Sequence, residues 1–386
     1  MGEQQNLNKT HETREPFMRV VKRPPLPFWH SWLIRGASVV AAFLFCALLS
    51  VILVGASPSD FFSSMFEGSF GNSIYAWKFF KNVAVLLCIS LAVTPAFRMK
   101  FWNIGANGQV LVSALAAVAC AIEIGDAVPN GVLLLIMFVA ALAAGMVWAV
   151  IPAIFKALWG TNETLFTLMM NYIATYLVLF FLQVWLPGGE TALKELSVGH
   201  FPEIREIPGL RALDSRGYLL LIIIVVLLTF AMFVYLRYTT HGYEISVVGE
   251  SENTARYIGI NVKKVIIRTL LVSGAVCGVA GFLIVSVLDH SITTESVGGQ
   301  GFTAIMVSWL ANFNPLYMFL TSFLIIFLQS GASHIATNFN VSSAFPNMVI
   351  GIILFFVIGS EFFMRYRVVF RGRKPSRSKP EMEGVK

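Results

Sequence analysis

Charge is what this sequence has least of. Among 386 residues only 13% are Asp, Glu, Lys or Arg, against about 25% in soluble globular domains. That shortage excludes an ordinary water-soluble enzyme, and 56% hydrophobic residues with 33 Phe point the same way. Metal and disulfide chemistry is equally thin. Cys46, Cys88, Cys120 and Cys277 fall inside apolar runs without CxxC or CxxH spacing, so they read as small core hydrophobes. The histidines (His11, His30, His200, His241, His290 and His334) are scattered, and none has a metal-ligand partner at helical spacing. No GxxxxGK[ST] phosphate loop, HExxH or GxSxG occurs, which removes the familiar motifs for ATP hydrolysis, zinc peptidase and serine hydrolase chemistry. No catalytic residue, metal or cofactor is expected in this chain. Lys and Arg total 28 against 21 Asp and Glu. Eight of the basic residues follow Glu361 and six precede Gly36, so the excess lies in tails and not on a nucleic-acid face.

What is present is a series of apolar runs. A helix crosses the hydrocarbon core with about 20 mostly apolar residues. Segments 37–54, 82–97, 101–122, 131–155, 164–186, 218–236 and 269–288 meet or approach that length. Segment 296–360 has no charged residue, and two turn signals, Asn312-Phe313-Asn314-Pro315 and the polar stretch 333–346, divide it into three passes, the first short. The total is ten. An even count puts both tails on one side, where 22 of the Lys and Arg residues then lie. Lys78, Lys81, Lys194, Arg205, Arg211 and Arg216 lie opposite. By the positive-inside rule the tails are cytoplasmic. The expected organisation is an all-α, multi-pass plasma-membrane protein: a polar tail 1–35, a transmembrane domain 36–364 and a basic tail 365–386. Both tails read as solvated, the first apolar run comes too late for a signal peptide, and 187–217 reads as a mixed-charge connector.

The spans carry no acidic residue near their middle. Glu123, Asp126 and Asp289 sit at span ends, and Glu163 precedes a span. Proton-driven carriers place such groups inside the membrane, so energy is expected to enter from another subunit. Sodium held by backbone carbonyls at broken helices leaves one alternative, a sodium-coupled carrier of a small polar solute. Two glycine breaks support a discontinuous architecture. Phe101–Gln109 and Ser296–Phe302 fall at matching places in two oppositely oriented halves, the pattern of an inverted repeat with a path at its centre. The amides Asn103, Asn107, Gln109, Asn162 and Asn171 are candidates for that path. Asn162 also reads as a helix N-cap, and Asn171, two turns inside a span, either bonds a neighbouring helix or lines a pathway.

The only sizeable cytoplasmic loop between spans is 238–264. Gly242, Gly249 and Gly259 bracket two short helical pieces, 243–248 and 252–258, the second with Ser251 as N-cap. This reads as a knob that docks on a soluble partner. Gly249 is expected to need a positive φ. Arg256 is expected to meet an acidic groove edge, with Glu244 and Glu250 facing solvent.

The loop residues Gly249-Glu250-Ser251-Glu252-Asn253-Thr254-Ala255-Arg256-Tyr257-Ile258-Gly259-Ile260-Asn261 resemble the VGEN…AARYAGIN element of ATP-binding-cassette (ABC) importer permeases, in the branched-chain amino-acid and ribose-type branch. Trp102-Asn103-Ile104-Gly105-Ala106-Asn107-Gly108-Gln109 is similar to that family's FNIG-x-x-GQ element. Asn162-Glu163, Thr167, Met169 and Asn171-Tyr172-Ile173-Ala174 are similar to the NE-x-x-x-T-x-M-x-NYIA element of the nucleoside permeases. Asn107 stands where that branch usually has an acid. The resemblance implies a type II, vitamin-importer-like fold of about ten helices. It implies two permeases around one path, commonly different chains, with ATPase subunits that bind the ATP beneath and an extracytoplasmic binding lipoprotein above. It also implies that Glu244, Gly249, Glu250, Asn253, Ala255, Arg256 and Gly259 belong to the ATPase-coupling element. The function so implied is non-enzymatic: a permease subunit moving nucleosides or a related sugar.

Overall fold

The computed structural model describes residues 18–22, 27–55, 57–186, 196, 198–201, 218–339, 341–342 and 344–370. Among them the helices are α1 (Phe28–Val54), α2 (Pro58–Phe70), α3 (Ser73–Arg98), α4 (Ala106–Ile124), α5 (Asn130–Trp159), α6 (Glu163–Trp185) and α7 (Leu219–Tyr238). They continue with α8 (Thr240–Glu250), α9 (Glu252–Tyr257), α10 (Val262–Leu283), α11 (Gln300–Leu310), α12 (Pro315–Asn338) and α13 (Ala344–Arg365). Nine helices among the described residues are long and apolar enough to cross a membrane. The tenth expected pass is α11, whose 11 residues span about 16 Å, half a bilayer core. The connector 187–217 lies largely outside the described residues.

The chain divides into two compact units, residues 1–62 with 342–386, and residues 63–341. In the first, Ser38 Oγ donates to the Phe356 carbonyl at 3.2 Å, and the Phe45 and Phe356 rings lie 5.6 Å apart, so α1 packs along α13. Strands β1 (Met18–Lys22) and β2 (Tyr366–Phe370) pair antiparallel, Met18 opposite Phe370 and Lys22 opposite Tyr366. The tails were expected to be solvated; their membrane-proximal parts instead satisfy their backbone groups in a short ladder.

In the second unit α3 and α10 form the core. Every α3 residue from Val83 to Phe97 is buried, and α10 is nearly as enclosed. Its last turn continues as a π-helical segment, Ile284–Asp289, which ends at His290 with φ +48°. A small-residue seam explains how α5 and α10 come so close. Ala141, Gly145, Ala149, Ala153 and Ala157 recur every fourth residue along the buried face of α5. A Cβ on Gly274 would meet the Ala149 Cβ at 2.7 Å, and one on Gly145 would collide with the Gly274 carbonyl. Backbone-to-backbone contact of this kind is how helices associate in lipid, where no hydrophobic drive separates them from the solvent. An aromatic cluster of Phe70, Phe79 and Phe323, with Phe79 4.9 Å from Phe323 in edge-to-face geometry, ties α2, α3 and α12 together.

Candidate functional site

Two polar regions stand out, one inside the helices and one beyond their ends. The first is the break between α3 and α4. Backbone that is neither helix nor sheet must find hydrogen bonds inside protein when it lies at membrane depth. Here α6 supplies them. Asn171 Oδ1 accepts from Gly108 N at 2.8 Å, one of the donors left open at the start of α4, and Asn171 Nδ2 donates to the Ile104 carbonyl at 2.9 Å. Thr167 Oγ1 accepts from Ile104 N at 3.1 Å. Within the break, Asn103 Oδ1 accepts from Gly105 N at 3.0 Å, and the Asn103 and Gln109 amides pair at 3.4–3.5 Å. Cys277 Sγ of α10 donates to Gln109 Oε1 at 3.3 Å.

Of the five amides singled out from the sequence, Asn103, Gln109 and Asn171 thus converge, all buried. Asn107 is half-buried, and its Oδ1 accepts weakly from Gly301 N at 3.5 Å, so the two glycine breaks touch. Asn162 stands apart at the exposed start of α6, where it caps by accepting from Thr164 N at 3.0 Å and Leu165 N at 3.3 Å. Beside it Lys156 and Glu163 pair at 2.8 Å and pin the end of α5 to the start of α6.

The second region is the knob of α8 and α9. Thr239 caps α8, accepting from Gly242 N at 3.1 Å, and Ser251 caps α9, accepting from Thr254 N at 3.2 Å. The inner faces present Ile245, Val248 and Ala255 to a buried cluster built from the ends of α3 (Ala96), α5 (Ala153), α7 (Leu236) and α10 (Val262, Ile266). The knob is therefore rooted in four helices.

Two expectations change here. Gly249 lies inside α8 with no positive φ; it is needed because a Cβ would collide with the Arg98 carbonyl at the end of α3. The positive φ, +87°, falls at Gly259 after α9. Glu244 is half-buried and pairs with Arg268 at 3.7 Å, whereas Glu250 faces solvent as expected. Arg256 pairs within its own helix with Glu252 at 3.4 Å, both exposed, and Asn253 is exposed beside them. Sequence reasoning passed over Tyr257, which is 93% exposed next to the half-exposed Ile258. This aromatic ring stands exposed at the tip of the knob and is a candidate contact residue.

A family model described as the permease component of a branched-chain amino acid transport system matches residues 76–358. The chain belongs to that family. It is therefore a multi-pass membrane protein of transport and not an enzyme. A guanosine ABC transporter permease of Bacillus subtilis is 30% identical, over 81% of this chain and 89% of the relative. A glucose ABC transporter permease of Haloferax volcanii is 28% identical, over 88% and 90%. A second guanosine ABC transporter permease of Bacillus subtilis is 25% identical over 60% of this chain and 73% of its own length. No solved structure matches significantly. Within this permease the matched span contains both polar regions, the break at 101–109 and the knob.

Proposed function

We propose that this permease is the membrane subunit of an ATP-driven importer that moves nucleosides, or a related sugar, into the cell. The observation that carries this is the knob. Two short helices rooted in α3, α5, α7 and α10 and tipped by Tyr257 form a lever with no use in a carrier working alone. A separate ATPase subunit grips Tyr257, Ile258 and Arg256, and its closure moves the helices to which Gly249, Ala255 and Gly259 fasten the knob. A second permease, a different chain as the two Bacillus subtilis guanosine permeases suggest, completes the path. A binding lipoprotein delivers solute from outside.

In this reading the enclosed helices α3 and α10 are the matching members of an inverted repeat. Asn107 borders the path, and Asn103, Gln109, Asn162 and Asn171 shape its wall. The pairing of β1 with β2 suits an even number of crossings, with both tails cytoplasmic. The test is reconstitution with the ATPase, the second permease and the lipoprotein. ATP-dependent guanosine uptake that Tyr257→Ala abolishes is the expected result. Uptake by this chain alone on a sodium gradient overturns it.

A further inference from the structure

The outward faces of α6 and α7 differ in a way that lipid does not explain. Residues of α6 turned away from α4 and α5 include Leu165, Met169, Tyr172, Tyr176 and Phe180. Their spacing places them on one stripe opposite the buried Thr167, Met170, Asn171, Ala174 and Val178. Tyr172 and Tyr176 lie two residues either side of Ala174, the midpoint of this 23-residue helix, and are 57% and 68% exposed. Neither phenol has a hydrogen-bond partner among the described residues. On α7 the outward residues along its middle, Ile223, Val226, Leu227, Phe230 and Val234, carry no polar atom, and its exposed Arg237 and Tyr238 lie at the helix end.

A helix bathed in acyl chains has the α7 pattern. Tyrosine at a lipid-facing position belongs at the interface, where its hydroxyl reaches water. An unpaired hydroxyl held at mid-depth in hydrocarbon is costly. Two phenols one turn apart at the midpoint of α6 therefore mark a wet face. Their rings, with the adaptable Met169 thioether one turn below, make an apolar ledge about 10 Å long by helix rise. Such a ledge suits a planar heteroaromatic ring, since flat bases stack on aromatic side chains without demanding directional bonds.

We propose that Met169, Tyr172 and Tyr176 form an aromatic ledge in the translocation path, on which the base of a nucleoside stacks during passage. This rests on the importer reading above and sharpens it toward nucleosides over sugars. The experiment places single cysteines at Tyr172 and Tyr176, with Leu227→Cys and Phe230→Cys on α7 as controls, in the assembled complex. Each is probed with a charged, membrane-impermeant thiol reagent. Native Cys46, Cys88 and Cys277 are buried, and the part-exposed Cys120 is first replaced by alanine to keep background low.

The expected result is labelling of Tyr172→Cys and Tyr176→Cys but neither control, slowed by guanosine and not by glucose. In parallel, Tyr172→Ala lowers guanosine uptake about tenfold while Tyr172→Phe, which keeps the ring, stays near native. Labelling no faster than the controls overturns the inference by placing this face in lipid. Labelling that appears only after the second permease is removed overturns it by making the face a subunit interface, and protection by glucose alone overturns the base-stacking ledge. Labelling requires no uptake, so a native complex that carries no guanosine fails the importer reading without deciding this one.

Discussion

The break at 101–109 and the knob at 240–257 are both anchored within this fold, and by opposite means. In the break, polar side chains turn inward and their hydrogen bonds are used within the chain: Asn171 bridges Gly108 N and the Ile104 carbonyl, and Asn103 pairs with Gln109. In the knob, apolar side chains turn inward, and the polar or aromatic residues Glu250, Asn253, Arg256 and Tyr257 remain exposed. The difference follows from the surroundings. Among packed helices an unsatisfied backbone group has no water to fall back on, so buried amides serve as joints. At the knob, solvent satisfies the exposed polar groups and the hydrophobic effect seats the apolar face.

Substitutions sharpen this contrast when ranked by their effect on the chain itself. The largest effect belongs to Gly249→Leu. The Arg98 carbonyl cannot yield as a side-chain tip can, so α8 must lift from the end of α3. A cost of about 3 kcal/mol and loss of uptake with the ATPase idle or missing are expected, read by thermal unfolding in detergent and by co-purification. Unchanged melting would show that α8 is not seated on Arg98.

Asn171→Leu follows. It leaves Gly108 N buried without a partner and removes the donor to the part-buried Ile104 carbonyl, at about 2 kcal/mol in all. Thermal unfolding should register it clearly, and a variant as stable as the native chain would mean that water or another group had replaced the amide. Asn162→Ala, which removes only an exposed cap, should cost about 1 kcal/mol, so the two asparagines of one helix separate by depth.

The smallest effects on stability belong to the tip. Tyr257→Ala should leave melting within about 0.5 kcal/mol of native and yet abolish ATPase co-purification. Arg256→Glu breaks an exposed pair worth a few tenths of a kcal/mol at most, and its effect on coupling should be weaker than that of Tyr257→Ala. If the charge reversal uncouples the complex and the aromatic truncation does not, the knob is read by charge and the anchor assignment is wrong.

Much of this was legible in the residues. Ser251 was readable as a cap because a serine three residues ahead of an open backbone donor has one obvious use, and Thr254 N takes it. The split of 296–360 into a short and two long passes followed from Asn314-Pro315 and the polar stretch 333–346, and Asn314 indeed caps α12. Gly249 shows where such reasoning stops. A glycine is required both where φ is positive and where two backbones nearly touch, and only the position of Arg98 distinguishes the cases. The seam of Gly145 and Gly274 went unread for the same reason, since neither helix alone reveals which stripe meets the other.

Sequence alone determined that the chain lives in a membrane, roughly where its long apolar helices run and where its short pass falls, while α2 went unread. Each of these depends on one segment against one solvent, and hydropathy and turn chemistry decide such matters locally. The tertiary structure decided which face of each helix is enclosed. Asn171 and Tyr172 are neighbours in sequence, both polar enough to suggest a pathway. Packing of α6 on α4 buries the amide in a backbone joint and leaves the phenol outside. A 100° turn between adjacent residues separates them, and only the neighbouring helix fixes which of the two it covers.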